Sequence, residues 1–264
     1  MNFEKICREV CLLAVETGAY IREQALLIKS SDVQLKSYNN FVTHVDKESE
    51  RRLTERLSTI LPGSSFIAEE NTVEQSIGNY TWIVDPLDGT TNFIHGIPIY
   101  SISIGLMHQN EIVVGVVYEV SHDECFYAWK GSPAYLNGHE IKVSDAANLH
   151  DALLVTGFPY SEYEKLDTYL ELFVFVLKNT HGLRRLGSAA ADLAYVACGR
   201  FELFFEYGLS PWDVAAGSFI VKQAGGKISD FKGGDDYIFG KEIVASNSKV
   251  FEEFMCVCER IFGA

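Results

Sequence analysis

Apolar residues recur along this chain with two periods, one typical of helices and one typical of strands. From Phe3 to Ala14 they return every three or four positions, which predicts a long amphipathic helix to about Leu27. A charged segment then begins at Asp46 and ends before Pro62, and it predicts a second helix with Asp46 as its N-cap. Capping a helix gives Asp46 an adequate structural role.

Short apolar runs separated by polar turns follow, as is typical of strands. Residues 65–68 predict a short strand and residues 82–84 a buried one, which Pro86 should end because proline cannot donate to a sheet ladder. Three longer runs predict an antiparallel meander, over residues 99–107, 112–120 and 125–129. Asn137 and Gly138 predict a tight hairpin turn after it.

Strand and helix patterns alternate after about residue 152. The predicted strands cover residues 153–156, 201–206 and 243–246, and the predicted helices cover 165–178 and 211–224, follow Ser188, and begin again at Ser248. We therefore predict a layered α/β (α+β) fold. Residues 1–143 are expected to form a helix pair and a mainly antiparallel sheet that carries a metal site. Residues 144–264 are expected to form a mixed α/β subdomain that completes the substrate site.

Composition narrows the class of protein. The chain has 264 residues, of which 47% are hydrophobic and 22% charged, as in a soluble globular protein with one large or two ordinary domains. Its net charge of −14 comes without a compensating basic stripe, so nucleic acid is not an expected partner. The six cysteines form no CxxC pair, and no apolar run approaches membrane-spanning length. We expect a cytoplasmic protein without a membrane partner.

The strongest indication of chemistry is the octet DPLDGTTN at residues 85–92. Asp85 and Asp88 offer two carboxylates with the Leu87 carbonyl between them, and magnesium prefers such hard oxygen ligands. Gly89 and Thr90 are expected to open a helical turn, whose free N–H groups suit a phosphate. Asp-Pro and Asp-Gly pairs are also ordinary turn formers. Metal and phosphate ligands in one short segment nevertheless favour metal-assisted phosphoryl chemistry.

Four segments resemble the inositol monophosphatase family, and its bacterial members more than its animal ones. They are DPLDGTTN, FIAEEN at residues 66–71, GLRRLGSAAADLAYVACGRFELFFE at 182–206 and SPWDVAAG at 210–217. The resemblance extends in order over nearly the whole chain. It implies an αβαβα sandwich, a homodimer, and lithium-sensitive hydrolysis of phosphate monoesters with about two to three Mg²⁺ ions per site.

The resemblance also implies a role for individual residues. The implied metal ligands are Glu69, Asp85, the Leu87 carbonyl, Asp88 and Asp213. The implied catalytic residues are Glu69, Thr90, which positions the attacking water, and Asp46, which supports Thr90. The implied substrate contacts are Asp88, Gly89, Thr90, Gly187, Ser188, Ala189, Glu206 and Asp213. The residue types themselves add Arg184 as a candidate substrate contact. In such two-metal sites one ion activates a water and the other stabilises the leaving alkoxide.

Some of these residues also have a purely structural explanation. Glu69 and Glu70 form the kind of acidic pair at a strand end that is usually solvated. Ser210 and Asp213 have the spacing of a capping box. Arg184 matches the geometry of a phosphate, whereas a pair of arginines at a strand end is more often surface charge or a dimer contact. The role of Arg185 stays open.

Two departures from the family pattern bear on the substrate. Ala68 replaces the family's usual glycine before the acidic pair, and residues 157–160 lack the serine-rich stretch of the animal enzymes. A phosphorylated polyol, most simply myo-inositol 1-phosphate, is the expected substrate. A 3′(2′),5′-bisphosphate nucleotide and fructose 1,6-bisphosphate are the alternatives within related folds. A regulatory binding protein that keeps the fold is the alternative outside catalysis, although an oxygen donor fills every implied ligand position.

Overall fold

A computed structural model describes residues 1–28, 34–37, 40–159 and 163–263 of the chain. The described residues form seven α-helices: α1 (Phe3–Ala25), α2 (His44–Ile60), α3 (Thr90–His95), α4 (Leu166–Asn179), α5 (Ala189–Ala197), α6 (Pro211–Gln223) and α7 (Phe251–Phe262). A two-stranded ribbon, β1 (Gln34–Ser37) and β2 (Asn40–Val42), joins the first two helices.

The larger sheet contains seven strands in simple sequence order. They are β3 (Ser65–Ala68), β4 (Tyr80–Asp88), β5 (Ser101–His108), β6 (Glu111–Glu119), β7 (Glu124–Trp129), β8 (Ala134–Leu136) and β9 (His139–Ile141). Strands β3 and β4 are parallel, and each later pair is antiparallel. Asn137 and Gly138 both have positive φ in the two-residue turn between β8 and β9. This confirms the predicted meander and hairpin.

The smaller sheet is mixed and has the order β11-β10-β12-β14-β13. Its strands are β10 (Leu153–Thr156), β11 (Gly182–Arg184), β12 (Leu203–Tyr207), β13 (Lys227–Ser229) and β14 (Glu242–Ser246). β10 pairs in parallel with β11 and β12, whereas β14 is antiparallel to both of its neighbours.

Helices cover both faces of both sheets, which gives five layers. Helices α1 and α2 pack on one face of the larger sheet, α5 and α6 lie between the two sheets, and α4 and α7 cover the far face of the smaller sheet. The core between the sheets combines Phe126 from the first half of the chain with Leu193 and Phe204 from the second. The predicted layered α/β fold is confirmed; the division at residue 143 stays a prediction.

Two local predictions are wrong in ways that concern the site. Asp46 is not the N-cap of α2. The N-cap is Thr43, three residues earlier, and Asp46 is the N3 residue of its capping box. Pro86 does not end its strand, because β4 continues to Asp88 with an irregular register between Asp85 and Asp88. Proline is tolerated at such a bulge, where no ladder N–H is required.

Within the described part of the chain, no helix combines the length and the apolar character that crossing a membrane requires.

Candidate active site

The bulge in β4 presents two aspartates at the end of a buried strand. Asp85 is 2% exposed, and its Oδ1 accepts the backbone N–H of Leu87 at 2.9 Å. This short turn directs the chain past Pro86, so Asp85 and Asp88 come close together although the strand is irregular between them. The Leu87 carbonyl lies between them in sequence and accepts a hydrogen bond from Thr90 Oγ1 at 3.0 Å.

The next residue, Gly89, turns the chain from β4 into α3 with left-handed backbone angles (φ 92°, ψ 33°). A Cβ at this position would lie 3.1 Å from the carbonyl oxygens of Gly187 and Ile99, so glycine suits both the conformation and the space. The predicted helical turn after Gly89 is confirmed, and Thr90 is its first residue.

Thr90 is held by the second helix. Its Oγ1 lies 2.9 Å from Asp46 Oδ1, while Asp46 Oδ2 accepts the N–H of Thr43 at 2.8 Å and the Thr43 hydroxyl at 2.6 Å. Burial raises the pKa of Asp46, and these three donated hydrogen bonds oppose that rise. The structure therefore gives Asp46 two roles, one in the capping box of α2 and one as the partner of Thr90.

Asp213 reaches the two β4 aspartates because α6 packs closely on the sheet. A Cβ at Gly115 would lie 2.7 Å from the Ala216 carbonyl oxygen, so the glycine allows the helix to approach the strands. The Ser103 hydroxyl also donates to the Trp212 carbonyl at 2.8 Å. Asp213 Oδ2 accepts the N–H of Ser210 at 2.7 Å, as expected for the third residue of a capped helix.

Asp85, Asp88 and Asp213 form one acidic cluster, with a carboxylate oxygen of each within 4.8 Å of the others. Burial is the main cause that raises the pKa of all three, and the charge of Glu69 adds to each rise. The charge of Asp88 also raises the pKa of Asp85 and of Asp213. Carboxylates that repel one another at such distances are stabilised by a cation between them. Because all of the donors are hard oxygen atoms, the cluster fits Mg²⁺ better than a thiophilic metal.

Glu69 lies beside this cluster rather than within it. Its N–H donates to the Val84 carbonyl at 3.2 Å, so the residue directly after β3 remains registered against β4. The charge of Glu69 raises the pKa of Asp85, second only to burial. Its charge therefore acts on the same site as the cluster.

The buried side chain of Glu50, one helical turn after Asp46, fixes the loop that follows Glu69. Glu50 is 0% exposed; one carboxylate oxygen accepts the N–H of Glu70 at 2.6 Å, and the other accepts the N–H and hydroxyl of Thr72, each at 2.7 Å. Sequence reasoning missed Glu50. The helical i, i+4 spacing from Asp46 was the available signal.

Helix α5 contributes the other side of the site. Ser188 caps this helix, as predicted, and its hydroxyl donates to Asp88 Oδ2 at 2.6 Å. The N–H of Ala190 donates to the same oxygen at 2.7 Å. Asp88 is thus oriented by the start of α5, and Gly187, Ser188 and Ala189 line the cavity beside it.

Glu206 enters that cavity from β12. Phe205 packs toward α4 and α7, whereas Phe204 faces the layer between the sheets, so Glu206 faces the same layer as Phe204 by strand alternation. A Cβ at Gly157 would lie 2.1 Å from a Glu206 carboxylate oxygen, so only glycine leaves room for this side chain. Burial raises the pKa of Glu206 to about 8, and Arg185 opposes the rise.

The two adjacent arginines occupy different positions. Both side chains are exposed, but Arg185 lines the cavity and Arg184 does not. Arg184 Nη1 donates to the Leu183 carbonyl at 3.1 Å, whereas the Arg185 guanidinium lies 5.9 Å from the Phe158 ring. The sequence alone could not distinguish them, because it does not show which of two adjacent arginines at the end of β11 faces the cavity.

The structure therefore brings nearly all of the sequence-predicted site residues together. The residues around the cluster and the cavity are Asp46, Glu69, Asp85, Leu87, Asp88, Gly89, Thr90, Gly187, Ser188, Ala189, Glu206 and Asp213. Arg184 is not brought to the cavity. Sequence reasoning left the role of Arg185 open, and besides Glu50 it missed Asp192, which also lines the cavity. Of the segment 157–160, Tyr160 lies outside the described residues.

The layered fold and this acidic site fit a phosphatase, and comparison with known proteins shows that class. The chain belongs to the inositol monophosphatase family, whose model matches residues 4–260. Metal ions are used in this family, in agreement with the cluster of three aspartates.

Individual relatives carry two kinds of name. The chain is 40% identical over 228 residues to the Nus factor SuhB of Pseudomonas aeruginosa, covering 84% of each protein. It is 38% identical over 238 residues to the inositol-1-monophosphatase of Mesorhizobium japonicum, covering 90% of each. The crystal structure of the extragenic suppressor protein suhB from Bartonella henselae has a TM-score of 0.91 and 36% identity, covering 96% of this chain and 98% of that one.

Proposed function

We propose that this phosphatase is a magnesium-dependent, lithium-sensitive hydrolase of myo-inositol monophosphates that releases myo-inositol and phosphate. The observation that carries the proposal is the cluster of Asp85, Asp88 and Asp213, where a buried and two half-buried carboxylates lie within 4.8 Å of one another beside the cavity. The relative named inositol-1-monophosphatase supports the choice of substrate.

The proposed metal ligands are those that the resemblance implies: Glu69, Asp85, the Leu87 carbonyl, Asp88 and Asp213. When bound there, Mg²⁺ would lower the pKa of a water and stabilise negative charge on the leaving oxygen. The protein's contribution is to hold these donors before the substrate arrives. Ser188 and Ala190 orient Asp88, and the Ser210 N–H orients Asp213.

Thr90 is the residue that we assign to the attacking water, together with Glu69. The Thr90 hydroxyl lies within hydrogen-bonding distance of two acceptors, Asp46 Oδ1 at 2.9 Å and the Leu87 carbonyl at 3.0 Å. Its one proton is therefore committed to these acceptors. The oxygen is left to accept a hydrogen bond from the water, which orients the water's lone pair toward phosphorus.

The phosphate and the alcohol are assigned to opposite ends of the site. The backbone at Gly89 and Thr90 is proposed to bind the phosphate oxygens, whose charge grows in the transition state. The alcohol is proposed to contact residues 187–189 and Glu206, which line the cavity. A 3′(2′),5′-bisphosphate nucleotide and fructose 1,6-bisphosphate remain the alternative substrates within the same reaction class.

A panel of phosphate esters tests the proposal directly. Purified protein with Mg²⁺ would be given myo-inositol 1-phosphate, a nucleotide 3′,5′-bisphosphate, fructose 1,6-bisphosphate and histidinol phosphate, and released phosphate would be measured. We expect the highest kcat/KM for the inositol phosphate. Much faster turnover of another ester would replace the substrate and keep the reaction.

A regulatory binding protein that keeps the fold is the second candidate, because several relatives are named Nus factors. This function would not require turnover. If no ester in the panel is hydrolysed with Mg²⁺, this candidate is favoured over the first.

A second copy of this chain is the protein partner that we propose, and the cytoplasm is the proposed compartment. Support for a homodimer comes from α4, where Leu170, Val174 and Leu177 are all exposed at helical spacing and form an apolar stripe. Light scattering of the wild type and of Val174→Glu would test it, with a dimer expected only for the wild type.

A further inference from the structure

Asp192 has a buried carboxyl group that the fold does not explain. The residue lies in the first turn of α5 and is 1% exposed, and its backbone N–H is already bonded to the Ser188 carbonyl at 2.9 Å. Its Oδ1 has no hydrogen-bond partner among the described residues. Buried polar atoms in folded proteins are nearly always bonded, so this oxygen requires another explanation.

The position of Asp192 indicates that its missing partner is a ligand. The side chain lines the same cavity as Glu206, Arg185 and Ser188. Burial raises its pKa well above the usual range, the charges of Glu206 and Asp88 add to the rise, and only Arg185 opposes it. The surroundings therefore disfavour the charged form of Asp192 in the free protein. The partial positive charge at the N-terminus of α5 favours that form but does not outweigh burial.

A metal ion is not the partner indicated for this oxygen. Within the described residues, the acidic groups close enough to share an ion are Asp85, Asp88 and Asp213, and Asp192 is not among them. A neutral hydrogen-bond donor is the remaining chemistry that satisfies a carboxyl oxygen in an enclosed polar cavity.

We propose that Asp192 is a specificity-determining residue whose carboxyl group accepts a hydrogen bond from a hydroxyl group of the substrate's leaving alcohol. This inference rests on the proposed function, which assigns the alcohol to the cavity lined by Glu206. It narrows the substrate class, because the leaving alcohol must then present at least two hydroxyl groups, one to Asp192 and one to Glu206. Simple alkyl and aryl phosphates lack this second contact.

Two variants separate hydrogen bonding from packing. Asp192→Leu removes the acceptor at similar volume, and Asp192→Asn keeps an amide oxygen that accepts. For myo-inositol 1-phosphate we expect Asp192→Leu to lower kcat/KM by about 10- to 100-fold, mostly through KM, because a substrate hydroxyl is then left without an acceptor in the cavity. For phenyl phosphate the loss is expected to be at least about tenfold smaller, and Asp192→Asn should recover part of the activity on the inositol ester.

Thermal unfolding distinguishes a role in substrate binding from a structural role. If Asp192 stabilised the fold, replacing it would lower the melting temperature. Without metal, Asp192→Leu should melt at an equal or higher temperature than the wild type, because it removes an unpaired buried carboxyl group. Asp167→Asn, which changes an exposed acid in the first turn of α4, is the control for loss of a helix-dipole interaction.

The outcomes distinguish this inference from the proposed function. If the wild type hydrolyses other esters but not inositol phosphate, the proposed substrate fails, and the variants are compared on the best hydroxylated ester. If Asp192→Leu lowers kcat/KM equally for hydroxylated and aryl esters, the proposed role of Asp192 is overturned. A wild type without turnover is tested with myo-inositol plus Mg²⁺ and inorganic phosphate. The role is then supported by a rise in melting temperature that Asp192→Leu abolishes, and overturned by any other result.

Discussion

The carboxylate of Glu50 accepts the backbone N–H of Glu70 at 2.6 Å, and this bond connects α2 to the acidic end of β3. One turn earlier on the same helix, Asp46 accepts the hydroxyl of Thr90 at 2.9 Å. Two buried carboxyl groups of α2 thus hold the two loops from which the metal and water contacts are proposed to come. Neither group faces the cavity that would receive the alcohol.

Replacing Glu50 should disturb the site although Glu50 is not itself a proposed ligand of metal or substrate. In Glu50→Gln one acceptor oxygen becomes an NH₂ group that faces backbone N–H donors. We expect a stability loss of about 1–3 kcal/mol. The midpoint for activation by Mg²⁺ is expected to rise by about 10- to 100-fold, as for other residues that orient metal ligands. Thermal unfolding and Mg²⁺ titration of activity measure the two effects.

Glu55→Gln is the matched control on α2. Glu55 is exposed and pairs with Arg51 at 2.6 Å, and exposed pairs of this kind contribute little. Its Mg²⁺ midpoint should remain that of the wild type. A Glu50→Gln variant that is less stable but has an unchanged Mg²⁺ midpoint would limit Glu50 to a structural role.

The adjacent arginines provide a second matched pair. Arg185 lines the cavity, and its charge opposes the raised pKa values of Asp88, Asp192 and Glu206. We expect Arg185→Ala to lower kcat/KM by about tenfold, because it removes a partly exposed charge beside the substrate. Arg184→Ala tests the sequence-based assignment: an unchanged KM would remove Arg184 from the site, and a raised KM would keep it there.

Lithium tests the metal chemistry of the family. A small monovalent ion can occupy a magnesium position but stabilises less negative charge, so product release should slow. We expect inhibition by LiCl at concentrations at which NaCl has no effect, measured as released phosphate at constant ionic strength. Equal responses to the two salts would favour a fructose-bisphosphatase-like relative.

Local sequence patterns were sufficient for much of this structure. The meander, the hairpin at Asn137 and the cap at Ser188 each depend on short-range preferences, and the structure confirms them. The segment containing Asp85 and Asp88 was recognisable because all of its donors lie within four residues. Asp213 lies far along the chain, and only the resemblance connected it to them.

The remaining features depend on packing that no short window contains. Pro86 was expected to end a strand because proline has no N–H to donate. Propensity alone does not show that the backbone bulges there and lets β4 continue. Glu50 has polar neighbours in sequence and looks like a solvated charge until α2 is placed. Asp192 lies between Ala191 and Leu193, and only the placement of α5 shows that it reaches the cavity. Arg184 and Arg185 are equivalent as sequence, whereas in the structure Arg184 ends β11 and Arg185, the next residue, lines the cavity.

Glu206 should make stability depend on pH. Its pKa rises from 4.5 to about 8 in the folded protein, so the folded state binds this proton more tightly than the unfolded state. The stabilising effect of the protonated form is complete below the unfolded pKa and is lost as pH rises toward about 8. Glu206→Gln removes the titration. Without metal, its gain in unfolding free energy over the wild type should increase with pH, by about 1.4 kcal/mol per pH unit between the two pKa values and a few kcal/mol in all.

Scanning unfolding in EDTA across this pH range measures that difference. Subtracting the wild-type curve removes the contribution of the other acidic groups common to both proteins. If the difference in stability between the variant and the wild type stays constant with pH, burial does not raise the pKa of Glu206.

Asp213 offers the clearest separation between a structural and a catalytic role. Its Oδ2 accepts the N–H of Ser210 at 2.7 Å, and an asparagine oxygen can accept the same bond, so Asp213→Asn keeps the helix cap. The substitution also removes one of three charges that repel one another in the acidic cluster. Metal-free stability should therefore be equal or slightly higher.

Catalysis by Asp213→Asn should respond in the opposite direction. If the lost charge belongs to the metal site, Mg²⁺-dependent turnover falls by about a hundredfold or more, as for other lost transition-state charge stabilisation. The rise in melting temperature on adding Mg²⁺ should shrink as well, since it reflects affinity for the ion. Phosphate release and thermal unfolding with and without Mg²⁺ measure both quantities. A variant that is less stable without metal yet fully active would limit Asp213 to capping α6.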